Sequence, residues 1–263
     1  MADSAARPPE DRHFVTALAR GLELLECFRA GDALLGNQEL AQRCGLPKST
    51  VSRLTGTLTR LGYLENVNHS GKYRLGHAVL ALGHAPLLNP AVRSAARGPM
   101  QALANATGAE VALGVRTQLV MFYAEHCHST RVPRSASGLG LGMRLPLDTS
   151  AAGRAWMATQ DADTLRDLTA QIASRRPAEA RRIEDDVAQA VHDYQRLGVA
   201  CSFGDWRASV NAIARALSPG PGLPLLVLNC GGPAIGLAPE VLLSEVRPLL
   251  IDTVARIETA LAR

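Results

Sequence analysis

Residues 37–61 read NQELAQRCGLPKSTVSRLTGTLTRL, and the reading of this stretch decides the fold of the N-terminal part. It divides into two short helices around a tight turn. In the first, Leu40, Ala41 and Cys44 share one face. Gly45 supplies a positive-φ turn at no steric cost, and Pro47 is expected at the first position of the second helix, where its missing N–H is harmless. Val51, Leu54, Leu58 and Leu61 then recur at helical spacing as one apolar stripe. The opposite face carries Ser49, Ser52, Arg53, Gly56 and Arg60, flanked by Lys48, with Thr50 and Thr57 completing the hydroxyl set. Small hydroxyls, a glycine and long cations on one exposed face suit entry into a DNA major groove. Any helical hairpin needs an apolar stripe, and a polar face is often only solvated. The small Ala41 at the crossing, Gly45 four residues on, and Val51 and Leu54 beyond it favour a helix-turn-helix.

Outward from this stretch, the N-terminal part assembles into a winged unit. Residues 1–11 are polar and proline-bearing and are expected to be a flexible tail. Residues 14–28 form a helix by the stripe Phe14, Leu18, Leu22, Leu25 and Phe28. After the two central helices, residues 63–65 and 72–75 read as strands around the Gly/Asn-rich loop NVNHSG (66–71), a hairpin. Residues 12–76 are therefore expected to be a winged helix-turn-helix. Its wing would offer Asn68, His69, Ser70 and Lys72 to phosphates or the minor groove, although surface hairpins are common. Residues 77–88 follow as an apolar linker helix, either bridging two domains or packing on a partner chain. An ordinary core helix is the competing reading.

Charge supports a polyanion contact at this end. Residues 12–76 hold nine Lys/Arg against five Asp/Glu, and residues 77–263 hold eighteen against sixteen. Both lysines, Lys48 and Lys72, fall in the first segment. The full chain has 263 residues, 47% hydrophobic and 20% charged, which bounds it to one or two globular domains. No apolar run approaches the ~18 residues of a membrane span, and no signal-peptide core opens the chain. Five cysteines, odd in number and without paired spacing, suit a reducing compartment. A cytoplasmic protein with no membrane partner is expected.

From residue 89 to the end, helices and strands alternate. A helix over 91–107 is expected to be disturbed at Gly98-Pro99, with strands at 110–115 and 119–125 after it. The Gly/Ser-rich loop 131–142 suits a cavity wall. A brief strand at 144–147, a capped helix at 149–159 and two helices within 161–197 come next. Three strands (199–205, 210–217, 223–230) and one long helix (239–261) complete an α+β domain with an antiparallel sheet, large enough to enclose a ligand.

Several constellations point to other chemistry without carrying it. His126-Cys127-His128 lacks the further ligands of a structural zinc site and reads as a solvated strand end. Cys201 and Cys230 are expected as neighbouring strand thiols, and Asp185-Asp186 as part of a solvated helix face. No nucleophile elbow, P-loop or HExxH is present. No catalytic residue, metal or cofactor is expected. Two alternatives stay open: an enzyme using the C-terminal cavity, and a DNA-binding protein without an effector.

The runs ALARGLELLECF (17–28), ELAQRCGLPKSTVSRL (39–54), LGYLE (61–65) and GKYRLG (71–76) closely resemble the N-terminal domain of the IclR family of bacterial transcriptional regulators. LPLDTSAAGRAWMA (145–158), GVACSFGDWRASVNAIARAL (198–217) and NCGGP (229–233) resemble its effector-binding domain. The resemblance spans nearly the whole chain with its motifs in order. It implies a winged helix-turn-helix, a linker helix and a GAF-like effector domain over 89–263, assembled as a homodimer or homotetramer on double-stranded operator DNA. The DNA-contacting set would be Lys48, Ser49, Thr50, Ser52, Arg53, Thr57, Arg60 and Lys72. A small organic effector would lie against Ser202, Asn211, Ala212, Asn229 and Gly231. Leu139, Gly140 and Met143 of the loop, and the helix start at Ser150 and Ala151, would complete the pocket. Some relatives carry an acidic side chain at the Ser202 position, a cysteine at Ala212 and hydroxyls at Asn229 and Gly231. With fewer fixed donors here, a larger, apolar or aromatic molecule is expected in place of a small keto acid. The opening helix resembles the branch that senses aromatic acids, and control of a catabolic operon is the expected role.

Overall fold

The computed structural model describes residues 14–29, 31–84, 88–130 and 140–262. The chain divides into two compact units, Met1–Pro86 and Leu87–Arg263. In the first, α1 (Thr16–Glu26), β1 (Leu35–Gly36), α2 (Asn37–Cys44), α3 (Lys48–Arg60), β2 (Leu64–Asn66), β3 (Lys72–Leu75) and α4 (His77–His84) follow in order. Its three strands pair antiparallel in the order β1-β3-β2. Strand β1 has two residues, too few to show an alternation in the sequence. Gly45 ends α2 with φ 65°, the left-handed turn expected of it. Pro47 stands one place earlier than expected: it is the N-cap of α3, and its carbonyl accepts from the Val51 N–H at 3.0 Å.

The small core of this unit joins Leu24, Leu35, Leu40, Val51, Leu64 and Tyr73. Two sequence expectations change here. Helix α1 turns Leu24 and Cys27 inward, while Phe14, Leu18 and Leu22 of its apolar stripe stay exposed. Apolar residues occupy more than one face of α1, so contact with α2 and α3, not periodicity, selects the inner one. In α3 Leu61 is 60% exposed, and Thr55 takes the buried place. The Thr55 hydroxyl lies 3.2 Å from both Asn37 Oδ1 and the Ser52 carbonyl, so a polar group is buried without being orphaned. Of the expected linker helix, 77–84 is helical, and residues 85–87 fall outside the described residues.

The second unit holds α5 (Pro90–Thr107), β4 (Glu110–Thr117), β5 (Val120–Cys127), β6 (Arg144–Pro146), α6 (Ala151–Met157), α7 (Ala162–Arg175), α8 (Ala180–Leu197), β7 (Ala200–Phe203), β8 (Val210–Leu217), β9 (Leu226–Pro233), α9 (Pro239–Val241) and α10 (Arg247–Leu261). Six antiparallel strands form one sheet in the order β6-β5-β4-β9-β8-β7. Helices α5 and α10 pack on one face through Val92, Ala96, Met100, Leu250, Val254 and Ile257. Helices α6, α7 and α8 cover the other through Ala152, Ala155, Ile172, Ile183 and Val187.

Three departures have identifiable causes. Helix α5 runs straight through Gly98-Pro99. A buried row on both sides of Pro99 (Val92, Ala96, Met100, Leu103) anchors both halves to the core and outweighs the lost hydrogen bond. The C-terminal helix is instead interrupted, with a π-turn at Leu242–Val246 between α9 and α10. Pro248, at the start of α10, has no N–H for a regular turn. Strand β5 carries a bulge against β4: Leu113 pairs with Glu125 but Gly114 with Tyr123, leaving Ala124 unpaired. The extra residue reverses which face the following side chains meet. Tyr123 therefore belongs to the core beneath α6, whereas Glu125 meets α5, where Arg93 Nε and Arg97 Nη1 donate to its buried carboxylate at 2.6 and 2.9 Å.

Candidate nucleic-acid interface and ligand cavity

The outward face of α3 carries Lys48, Ser49, Ser52, Arg53, Gly56, Thr57 and Arg60, all exposed. Thr50 is half-buried, and with Arg53 and Thr57 it borders a groove against α1. The Thr57 hydroxyl donates to the Arg53 carbonyl at 3.0 Å. Lys48, Arg53, Arg60 and Lys72 have no ion pair among the described residues. Other cations nearby are committed: Arg74 grips Glu65 through two bonds of 2.9 Å. Arg43 pairs with Asp32 at 2.5 Å, and that bond holds the Asp32 carboxyl down to about 2. The cations singled out in the sequence are thus uncompensated ones on α3 and the wing.

Within the wing, Asn68 adopts φ 52° and is exposed. The Ser70 hydroxyl donates to the Val67 carbonyl at 2.6 Å, so its hydrogen is used inside the turn. Lys72 is exposed on β3, and the His69 side chain lies outside the described residues.

In the second unit a small cavity lies between the sheet and the start of α6, with Tyr123, Ser150, Ala151, Ser202, Trp206 and Asn229 among its walls. Ala212 and Gly231, both expected there, also line it. The volume is about 10 Å³, room for roughly one water, which corrects the expectation of a roomier pocket. Ser150 caps α6 by accepting from the Gly153 N–H at 3.0 Å, and Ser202 donates to the Thr149 carbonyl at 2.8 Å. Asn229 differs from both: the residue is largely buried, it lines the cavity, and no hydrogen bond engages its side chain among the described residues, where the one buried side-chain polar atom left without a partner is Thr59 Oγ1.

The structure brings together six of the expected pocket residues (Ser150, Ala151, Ser202, Ala212, Asn229 and Gly231) and separates others. Asn211 alternates to the opposite sheet face from Ala212, where its Nδ2 donates to the Leu237 carbonyl at 2.9 Å. Met143 pairs through its carbonyl with the Tyr123 N–H at 3.0 Å and stands outside the cavity wall, as does Gly140. Leu139 lies outside the described residues. A Cβ at Gly231 would meet Ala212 Cβ at 2.5 Å and the Asn211 carbonyl oxygen at 2.6 Å. Gly231 is therefore required by the close approach of β8 and β9, and a hydroxyl-bearing residue would not fit there.

Tyr123 and Trp206 escaped the sequence reading. Strict alternation along β5 groups Tyr123 with Glu125, and only the bulge separates them. Burial pushes the Tyr123 phenol well above its ordinary value, so it stays neutral and able to donate. Trp206 sits on the turn after β7, fixed by Arg154, whose Nη1 donates to the Cys201 carbonyl at 2.8 Å and to Asp205 Oδ2 at 2.6 Å.

Elsewhere, His126 Nε2 lies 3.1 Å from Glu110 Oε2, a largely buried pair rather than a solvated strand end. Among the described residues no group of three His, Cys, Asp or Glu side chains is arranged to hold a metal. Cys201 and Cys230 stand two strands apart with Ile213 between them. Burial pushes their thiols up to about 11 and about 12, leaving both protonated. No helix in the described residues is long and apolar enough to cross a membrane.

The IclR helix-turn-helix domain matches residues 17–67, and the domain described as bacterial transcriptional regulator IclR C-terminal matches residues 84–218. The HTH-type transcriptional regulator TsaQ1/TsaQ2 of Comamonas testosteroni is 31% identical, over 93% of this chain and 87% of that protein. The p-hydroxybenzoate hydroxylase transcriptional activator of Acinetobacter baylyi is 25% identical, over 91% of this chain and 89% of that protein. The crystal structure of an IclR family transcriptional regulator from Brucella abortus superimposes with a TM-score of 0.79 at 41% identity, covering 95% of this chain and 94% of that one. These relatives are regulators and not enzymes, which removes the enzyme reading. An N-terminal helix-turn-helix for DNA and a C-terminal effector-binding domain, in family order along one chain, place this protein in the IclR family of bacterial transcriptional regulators.

Proposed function

We propose that this regulator holds operator DNA through the outward face of α3, acts as a homo-oligomer, and responds to an aromatic organic acid that enters the cavity beneath α6. In this reading residues 12–76 bind DNA, 77–88 link, and 89–263 sense the effector and assemble. The observation that carries the ligand reading is the Asn229 amide. It lines the cavity without a side-chain hydrogen bond to the protein among the described residues, so it can donate to or accept from a ligand hydroxyl or carboxyl, each such bond being worth about 0.5–1.5 kcal/mol and more to a charged group. The neutral Tyr123 phenol offers a second hydrogen bond, and Leu145, Val210 and Trp206 offer apolar contact to a ring. The name of the Acinetobacter relative, an activator for p-hydroxybenzoate hydroxylase, supports an aromatic acid and a catabolic operon. Because the cavity holds about 10 Å³, entry of any ligand must move its walls. That movement gives the ligand-bound state a different shape, the condition for shifting a DNA-binding equilibrium.

For DNA, Arg53 and Ser49 are assigned to base edges with Ser52 beside them. Lys48, Arg60 and Lys72 are assigned to phosphates, and Thr50 and Thr57 to the flank. Two copies would place their α3 helices in major grooves ~34 Å or a multiple apart. Self-association is supported by the exposed apolar residues Phe14, Leu18 and Leu22, of which Leu18 and Leu22 border a groove of about 650 Å³ with Leu54, Leu61 and Leu82. Apolar surface of this kind calls for a covering partner.

Two outcomes test the assignments. Asn229→Leu should weaken 4-hydroxybenzoate binding roughly 10- to 100-fold, the worth of one or two hydrogen bonds to a charged or polar ligand, with ligand-free operator affinity unchanged in a gel-shift titration. Equal loss of both functions would expose a folding defect instead. Lys72→Ala should weaken every DNA sequence alike and reduce the slope of log affinity against log salt by about 1. A sequence-selective loss would move Lys72 from phosphate to base contact.

A further inference from the structure

A second hollow adjoins the Asn229 cavity. It is an open cleft of about 410 Å³ between β6 and the C-terminal end of α7. Leu145 and Trp206 line both hollows, so the two compartments meet at those side chains. Their chemistry differs. Among the described residues no charged side chain lines the inner cavity. Among the described residues the outer cleft is lined by three guanidiniums, Arg144, Arg175 and Arg176, against one carboxylate, Asp148.

The three cations are not equivalent. Arg176 pairs with the buried Asp148 carboxylate and lies 3.7 Å from Glu179, so its charge is compensated. Arg144 lies over the Phe122 ring at 5.4 Å. Arg175, the last residue of α7, is exposed, and no hydrogen bond or ion pair engages its side chain among the described residues. Ile172 and the half-buried Trp206 give the same cleft an apolar wall. A surplus of guanidinium beside an indole suits an anion carried on an apolar or aromatic body.

We propose that the outer cleft is the carboxylate subsite of an organic acid whose neutral end reaches the Asn229 cavity past Trp206, with Arg175 as the carboxylate's main partner. This rests on the effector reading above and adds where the charge goes. Neutral donors inside and a guanidinium outside would orient the molecule, hydroxyl inward and carboxylate outward. Trp206 is then the wall that separates the compartments, and its displacement joins them.

The test is calorimetric titration of the full-length protein with two acids, 4-hydroxybenzoate and hexanoate, each paired with its uncharged amide. The wild-type chain should bind 4-hydroxybenzoate at least tenfold more tightly than 4-hydroxybenzamide. Arg175→Gln should remove most of that ratio while leaving amide affinity within twofold, and Arg175→Lys should restore part of it. An unchanged acid-to-amide ratio in Arg175→Gln overturns the subsite. Hexanoate binding more tightly than 4-hydroxybenzoate, with both weakened by Arg175→Gln, overturns the aromatic reading and leaves the subsite standing. Absence of binding by acids and amides alike overturns both.

Discussion

Gly153→Ala should strongly destabilise the C-terminal unit and leave the N-terminal unit folded. A Cβ at Gly153 would lie 2.3 Å from both the Cα and the carbonyl oxygen of Leu147. These are backbone atoms, so no rotamer change relieves the clash. Nor can α6 retreat. Its cap, Ser150, accepts from the Gly153 N–H at 3.0 Å and donates to the Pro146 carbonyl at 2.6 Å, which ties the helix start to β6. Every residue of α6 except Arg154 is buried. Overpacking of a fitted core costs ~1–3 kcal/mol and occasionally more, and a backbone clash belongs at the upper end. A loss of about 3 kcal/mol lowers the melting temperature of a unit this size by roughly 6–12 °C. Scanning calorimetry of the full chain is the measurement, since two units with separate cores can unfold in separate steps. A C-terminal transition unmoved within 2 °C, a threshold of about half a kcal/mol, would show that α6 has slack which this packing denies.

Arg53→Ala should cost ~1–3 kcal/mol of operator binding, roughly 5- to 150-fold, and relax selectivity at one base position. The reason lies in what Arg53 does without DNA. It is exposed and has no ion pair among the described residues, so its removal orphans nothing within the protein. Its loss should therefore appear in the complex and hardly at all in the melting temperature. Arg43 is the contrast: it is bound to Asp32 and to the Cys27 carbonyl, so Arg43→Ala would disturb the fold first. Gel shifts against an operator and its single-base variants separate the two effects. An Arg53→Ala protein with wild-type affinity and wild-type discrimination would take this side chain out of the reading role.

Much of this was legible in the chain itself because it depends on near neighbours. Gly45 has to be a turn residue, Val51 has to face inward if Ser52 and Arg53 face out, and Ser150 caps the helix that follows it. Each relation spans a few residues, so periodicity and backbone preference carry it. The pocket residues were legible in a different way, through their place in family motifs. Ser202, Ala212, Asn229 and Gly231 do meet, yet Gly231 serves strand packing and Asn211 points to the opposite face.

The amino-acid sequence by itself determined the kinds and order of the longer elements, and an outward α3 face bearing hydroxyls and cations. Only the tertiary structure decided which side of α1 is inner, because its apolar residues outnumber one face. Only the packed α5 shows that Pro99 is carried within a continuous helix. The bulge at Ala124 sends Tyr123 to the cavity and Glu125 to Arg93 and Arg97. That reversal depends on pairing between two strands, and a partner strand's register is not written in the alternation of either one. For the same reason, the cleft that Trp206 and Arg175 both line, from a turn and a helix end far apart in the chain, exists only once the sheet and α7 have come together.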